Sequence, residues 1–143
     1  MVGPTPEFIV EVARRGYEAF NRGGVEAILA FLEPDIEWIN EHPEPLRGTY
    51  RGHDGVRRYF GELTALFEDL RLDPYEFIPI GNEYVLVFQR VRGRGVRTGV
   101  VGAQPVATLW KVGRQGAARV RLFYDRAEAL KAAGLEDSEH SHD

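Results

Sequence analysis

The apolar residues of this chain pass from mainly helical to mainly strand spacing along its length, and that change constrains the fold more than any other feature. Up to about residue 70 they recur at helical spacing except over one short stretch; beyond it they follow strand rules. Phe8, Ile9, Val12, Ala13, Tyr17 and Phe20 share one helical face, with Glu7, Glu11, Arg14, Arg15 and Glu18 between them. Thr5 is placed to cap this helix, with Pro6 at its first position, and Asn21-Arg22-Gly23-Gly24 stops it. Val25, Ile28, Leu29 and Leu32 mark a second, shorter helix that Pro34 ends. A third, capped by Asp54, carries Val56, Tyr59, Phe60, Leu63, Phe67 and Leu70.

Between the second and third helices, residues 36–40 read as a short strand. Ile36, Trp38 and Asn40 point one way, Glu37 and Ile39 the other. Two prolines make 41–48 a loop. The second half is mostly strand: 72–80, interrupted by Pro74 and Pro79; 84–91; one or two strands in 96–112, with Pro105 at an edge or bulge; and 120–124. Turns are expected at Gly81-Asn82, Gly93-Arg94-Gly95 and 113–116, and a last short helix over 125–133 stops at Gly134. Helices followed by strands indicate an α+β fold. If the sheet curves, the space between it and the helices becomes a blind pocket, and its other face is left for solvent or a second subunit.

A length of 143 residues fits one domain over 1–135, followed by a polar tail over 136–143. With 18 Lys and Arg against 22 Asp and Glu, the net charge of −4 does not favour a nucleic-acid binder. The absence of cysteine excludes disulfides, thiolate metal sites and cysteine nucleophiles. No apolar run approaches the roughly 18 residues of a membrane span, and the N-terminus lacks the pattern of a signal peptide. A soluble, cytoplasmic protein is expected.

Four pieces carry a family resemblance. They are Tyr17-Glu18-Ala19-Phe20-Asn21 with Gly23-Gly24; Leu32-Glu33-Pro34-Asp35-Ile36-Glu37-Trp38; Gly48-Thr49-Tyr50-Arg51-Gly52-His53-Asp54-Gly55-Val56; and Arg121-Leu122-Phe123-Tyr124-Asp125-Arg126-Ala127-Glu128-Ala129-Leu130. In this order and spacing the chain resembles the SnoaL-like branch of the nuclear transport factor 2-like superfamily, which includes ketosteroid isomerases. The resemblance implies a cone-shaped fold with three N-terminal helices on a curved, mostly antiparallel sheet and a short C-terminal helix. It also implies an apolar pocket at the open end and a homodimer formed through the sheet. The function it implies is a cofactor-free isomerase, cyclase or hydratase acting on a small hydrophobic carbonyl compound by acid–base catalysis. The alternative is a non-catalytic small-ligand-binding or dimeric interaction module of the same fold. An epoxide hydrolase is a further alternative, for which only Arg121 and Asp125 of an Asp–Arg–Asp arrangement can be placed.

Ketosteroid isomerases use an Asp base and an oxyanion hole made of a Tyr and a protonated acid. Alignment on Asn21 and Asp35 sets Asn40 at the base position, and alignment on Gly116 sets Thr108 at the acid position. The tyrosine position falls on Gly16, beside Tyr17. An amide takes no proton from carbon at neutral pH, so Asn40, Tyr17 and Thr108 are expected to donate hydrogen bonds to a substrate oxygen.

The candidate general acid or base is Asp125, expected to share the pocket face with Arg121 and Phe123 by strand alternation. Its competing role is to cap the last helix. Arg121 suits a substrate oxygen or a structural ion pair. His42 is a second acid–base candidate, with Glu41 beside it; both equally fit an exposed loop. Tyr17, Phe20, Trp38, Phe60, Phe88 and Phe123 are expected to line the pocket and Tyr50 to stand at its entrance, although core packing explains the same spacing. No cofactor or metal is expected; His140 and His142 sit in the tail without fixed geometry. Arg90, Arg92, Arg94 and Arg97 read as a solvated hairpin that discourages edge pairing.

Overall fold

A computed structural model of the chain describes residues 4–41 and 46–134. The first helix, α1 (Pro6–Gly23), starts where the sequence places it. The Phe8 N–H donates to Thr5 Oγ1 at 3.1 Å, and the helix buries Ile9, Ala13, Tyr17 and Phe20. The second helix is shorter than its apolar spacing suggests: α2 (Val25–Ile28) passes into a 3-10 turn over Leu29–Phe31. Strand β1 (Leu32–Asn40) then begins ahead of Pro34. Pro34 is tolerated because the ladder beside it is irregular between Leu32 and Glu37, where no N–H is needed.

Two boundaries differ from expectation around α3 (Gly52–Leu66). Directly after the expected loop, from its last residue on, the chain forms a short strand, β2 (Gly48–Arg51), paired antiparallel with β1 through Trp38↔Tyr50 and Asn40↔Gly48. Gly52, at φ +71°, turns the chain directly from β2 into α3. The helix therefore starts ahead of Asp54, which supplies no cap and instead accepts from Arg57 at 2.6 Å. At the other end, Phe67 and Leu70 leave the helical stripe and open strand β3 (Phe67–Ile80).

The remaining strands are β4 (Tyr84–Gly95), β5 (Val101–Gly113) and β6 (Gly116–Phe123), followed by α4 (Arg126–Ala132). Gly93 to Gly95 is strand rather than turn. The reversal comes later, closed by Gly95 N–H to Val100 O at 2.9 Å and Gly99 N–H to Gly95 O at 2.8 Å. Pro105 lies past the point where β6 leaves β5 at Ala107↔Phe123, so the missing N–H falls on a local edge. The sheet runs β2-β1-β6-β5-β4-β3; β1 and β6 are parallel and every other pair is antiparallel.

Helices cover one face of this sheet and part of the other. Ile36, Trp38, Val85, Val87, Trp110, Val120 and Leu122 pack under α1 and α3 in the main core. On the reverse, Leu86, Phe88, Ala107, Leu109 and Phe123 pack with Ala129 of α4. Each such large side chain contributes about 1.5–3 kcal/mol by leaving water. Helices on a mixed six-stranded sheet with a short C-terminal helix make the α+β architecture that the resemblance implied.

Candidate functional site

The helices and sheet part company near the ends of α3 and β6 and leave a cavity of about 850 Å³. Its floor is made by buried residues: Leu46, Tyr59, Val106 and Leu122. Its mouth is ringed by Leu66 and Phe67 at the α3–β3 junction and by Val100, 66% exposed, on the β4–β5 turn. Polar groups enter the lining from several elements: Tyr124, Asp125 and Glu128 from the β6–α4 corner, and Arg92, Thr98 and Gln104 from the β4–β5 hairpin. An apolar space with a few polar groups suits a small organic ligand.

The polar end of the floor is phenolic. Tyr59 and Asn40 beside Tyr124 favour its ionised form, yet burial dominates and raises its hydroxyl above the ordinary tyrosine range. Burial likewise pushes Tyr59 up, reinforced by neighbouring Tyr124 and Tyr50. Both phenols therefore stay neutral at physiological pH and serve as donors rather than bases. Asn40, only 1% exposed, donates through Nδ2 to Leu46 O at 3.2 Å, which helps hold the floor loop. Tyr50 shares its hydroxyl between the same carbonyl, at 2.9 Å, and Glu62 Oε1, at 3.1 Å.

Of the candidate catalytic and binding residues that the structure describes, Asp125 alone lines the cavity. It is exposed at the mouth and also caps α4, accepting the Ala127 N–H at 2.8 Å. Asn40 adjoins the cavity through Tyr124. Tyr17 and Thr108 form a closed set with Trp110 deeper in the core. Their oxygens lie 2.5 Å apart, and Trp110 Nε1 donates to Thr108 at 2.9 Å and to Tyr17 at 3.3 Å. Burial pushes the Tyr17 hydroxyl up to about 12. Trp38 and Phe60 pack at 5.4 Å, Phe20 and Phe60 at 4.7 Å, and Tyr50 and Tyr59 at 5.2 Å, in an aromatic layer behind the cavity floor.

Arg121 and Phe123 do not share the pocket face as alternation from Asp125 suggested. The pairing of β6 turns Leu122 to the helix side and sets Phe123 among the reverse-face residues, with Phe88. Arg121 stacks over the Phe123 ring at 5.0 Å and donates to Glu41 at 2.8 Å, an ion pair on that reverse side. The chain bends after Phe123, so Asp125 does not continue the phase of the strand. His42, His140 and His142 lie outside the described residues. Tyr59, Tyr124 and Glu128 are among the lining residues that sequence reasoning missed. The signal for Tyr124 was its parity with Leu122, two residues back on the strand. Among the described residues no group of His, Asp and Glu is gathered to hold a metal ion, and no helix is long and apolar enough to cross a membrane.

Comparison with known proteins bears on the whole of this geometry. An NTF2-like protein of unknown function from Burkholderia pseudomallei is 30% identical over 85% of this chain and 93% of its own, with a TM-score of 0.71. TerC, crystallised with polyporic acid, is 26% identical over 87% of this chain and 97% of its own, with a TM-score of 0.72. An NTF2-like protein from Burkholderia thailandensis is 26% identical over 92% and 96% respectively, with a TM-score of 0.73. Among curated proteins no match was found. The SnoaL-like domain model matches residues 13–124, from the middle of α1 to the tyrosine at the cavity floor. By that match the chain belongs to the SnoaL-like domain family.

Proposed function

We propose that the cavity binds a small, mostly apolar carbonyl compound and that the chain acts on it as a cofactor-free isomerase, cyclase or hydratase. The observation that carries this reading is the pair of neutral phenols, Tyr59 and Tyr124, at the floor of an otherwise apolar space. Donors fixed in advance toward a carbonyl oxygen stabilise the negative charge that develops there when a neighbouring carbon loses a proton. Asp125 is the carboxylate at the mouth that takes that proton and returns it at another carbon, with Glu128 a second carboxylate on the same lining.

Similarity to TerC makes polyporic acid the first probe to try. Binding is followed by protein fluorescence and titration calorimetry, with a panel of aryl ketones and enones alongside. Tyr124→Phe is expected to weaken binding of carbonyl ligands by about tenfold, the worth of one neutral hydrogen bond. Equal affinity in wild type and variant would remove the phenols from the reading. A second reading, a non-catalytic binding module, is favoured by one feature: Asp125 already serves as the α4 cap. Tight binding without turnover of any enone or ketone would select it. We also propose a homodimer through the reverse face of the sheet.

A further inference from the structure

A second hollow, of about 240 Å³, opens on the reverse side of the sheet and shares no lining residue with the cavity described above. Lys111 on β5 and Arg119 and Arg121 on β6 line it, with Tyr84 on β4. Alternation with Leu86, Leu109 and Phe123 turns all four to this face. Lys111 stands directly opposite Arg119 in the ladder, and Leu109 opposite Arg121. Like charges facing each other across two strands destabilise the pair. Arg119 donates to Glu37 at 3.2 Å and Arg121 to Glu41 at 2.8 Å, and Glu37 also accepts from Arg51. Glu37 and Glu41 come from β1 and the residue after it, across β6 from Lys111. Lys111 makes no ion pair among the described residues. Four basic side chains therefore share two acidic ones.

We infer that this hollow is a binding site for a phosphate group. The charge fits, because such a group carries about −1.5 to −2 at neutral pH and offsets what Glu37 and Glu41 leave uncompensated. The donors fit as well. Each carboxylate occupies one guanidinium nitrogen, Arg119 Nε or Arg121 Nη2, and leaves other N–H groups of the same planar fork for phosphate oxygens. Lys111 supplies a point charge on a flexible stem from the opposite strand, and Tyr84 a neutral hydroxyl. Leu109, Ala132 and Ala133 complete the lining and are apolar. They leave room for a short carbon body beside the phosphate, since a water molecule occupies only about 30 Å³. The ligand is thus a free phosphate ion or a small phosphate monoester. This site goes beyond the pocket reading and stands without it.

The test is a titration of the isotope-labelled full chain with inorganic phosphate and, separately, with glycerol 3-phosphate. Amide shifts are followed by NMR at fixed pH, with chloride keeping the ionic strength constant. Saturable shifts centred on Tyr84, Lys111, Arg119 and Arg121 are expected, with a Kd of about 1 mM or tighter. This map needs no variant. Lys111→Gln, checked for folding by thermal melting, is expected to weaken binding about tenfold, the worth of one charged hydrogen bond. Arg97→Gln removes the same charge from the distant β4–β5 turn and should change affinity by less than about twofold, since salt screens distant charges. Tighter binding of glycerol 3-phosphate than of phosphate supports the site as one for a monoester, and the reverse order supports it as one for the free ion. Shifts that do not saturate, or an equal loss in both variants, would mean that the ions answer the overall charge, and the site falls. A lack of binding removes it whether the chain is a monomer or a dimer.

Discussion

Asp125 has two possible duties, and a single change separates them. Asparagine caps a helix as well as aspartate does, but it cannot accept a proton from carbon. Asp125→Asn is therefore expected to melt like wild type and to lose all turnover, as measured on whichever enone or ketone wild type converts. Wild-type turnover in that variant would move the base elsewhere, with Glu128 next in line. Asp125→Ala removes the cap as well and is expected to cost about 1 kcal/mol of stability in urea unfolding. The buried tyrosines give a second test. Burial raises Tyr17, Tyr59 and Tyr124 above the value each has in the unfolded chain, about 10. Their contribution is complete below about pH 10 and is lost as pH rises through the folded values. Stability should be level with respect to these groups from neutrality to about pH 9.5 and fall beyond it, and Tyr17→Phe should reduce the slope. An unchanged slope would mean that Tyr17 ionises in the folded protein as freely as in water.

At the scale of elements, two glycines predict opposite sensitivities. A Cβ on Gly116, at φ +122°, would sit 2.7 Å from Phe31 O, where β6 starts against the 3-10 turn. Gly99, at φ +71°, has open space around it. Gly116→Ala should cost upwards of about 2 kcal/mol, combining backbone strain with a clash, and Gly99→Ala about 1 kcal/mol from strain alone. Equal losses in thermal melts would refute the packing described for β6. The elements legible in the sequence are those with a signal of their own: α1 with Thr5 and Pro6, α4 with Asp125 and Gly134, and the inward set Ile36, Trp38 and Asn40. Strand β2 was illegible because four residues carry no period, and pairing with β1 makes it a strand. The cavity face of β6 was illegible for a different reason. Helices cover one side of the sheet and α4 part of the other, so Leu122 and Phe123 are both buried and alternation has no polar side to point from. Once Phe123 was assigned to the pocket, Tyr124 was assigned away from it.

For the whole molecule, the sheet's reverse face governs the proposed assembly. Its apolar part lies under α4, and beside that part a charged row crosses four strands: Arg51, Glu37, Arg119 and Lys111. Arg51, then Arg119, hold the Glu37 carboxyl below the usual range. A dimer through this face is expected to have twice the 16.2 kDa chain mass by light scattering at micromolar concentration, and to loosen as salt screens the charges. A monomer mass in low salt would dismiss the assembly while leaving the cavity untouched.

The parallel pairing of β1 with β6 also orders events in time. The β1–β2 hairpin joins the sheet through β6, the last strand among the described residues. A nascent chain emerging from the ribosome can form α1 and can pair β3 with β4 and β5, but Ile36 and Trp38 have no final place until residues near Phe123 have been made. Those side chains stay available to chaperones for most of translation. A chain cut short before Gly116 would lack β6, leaving the β1–β2 hairpin without its partner strand and the cavity without Leu122 and Tyr124.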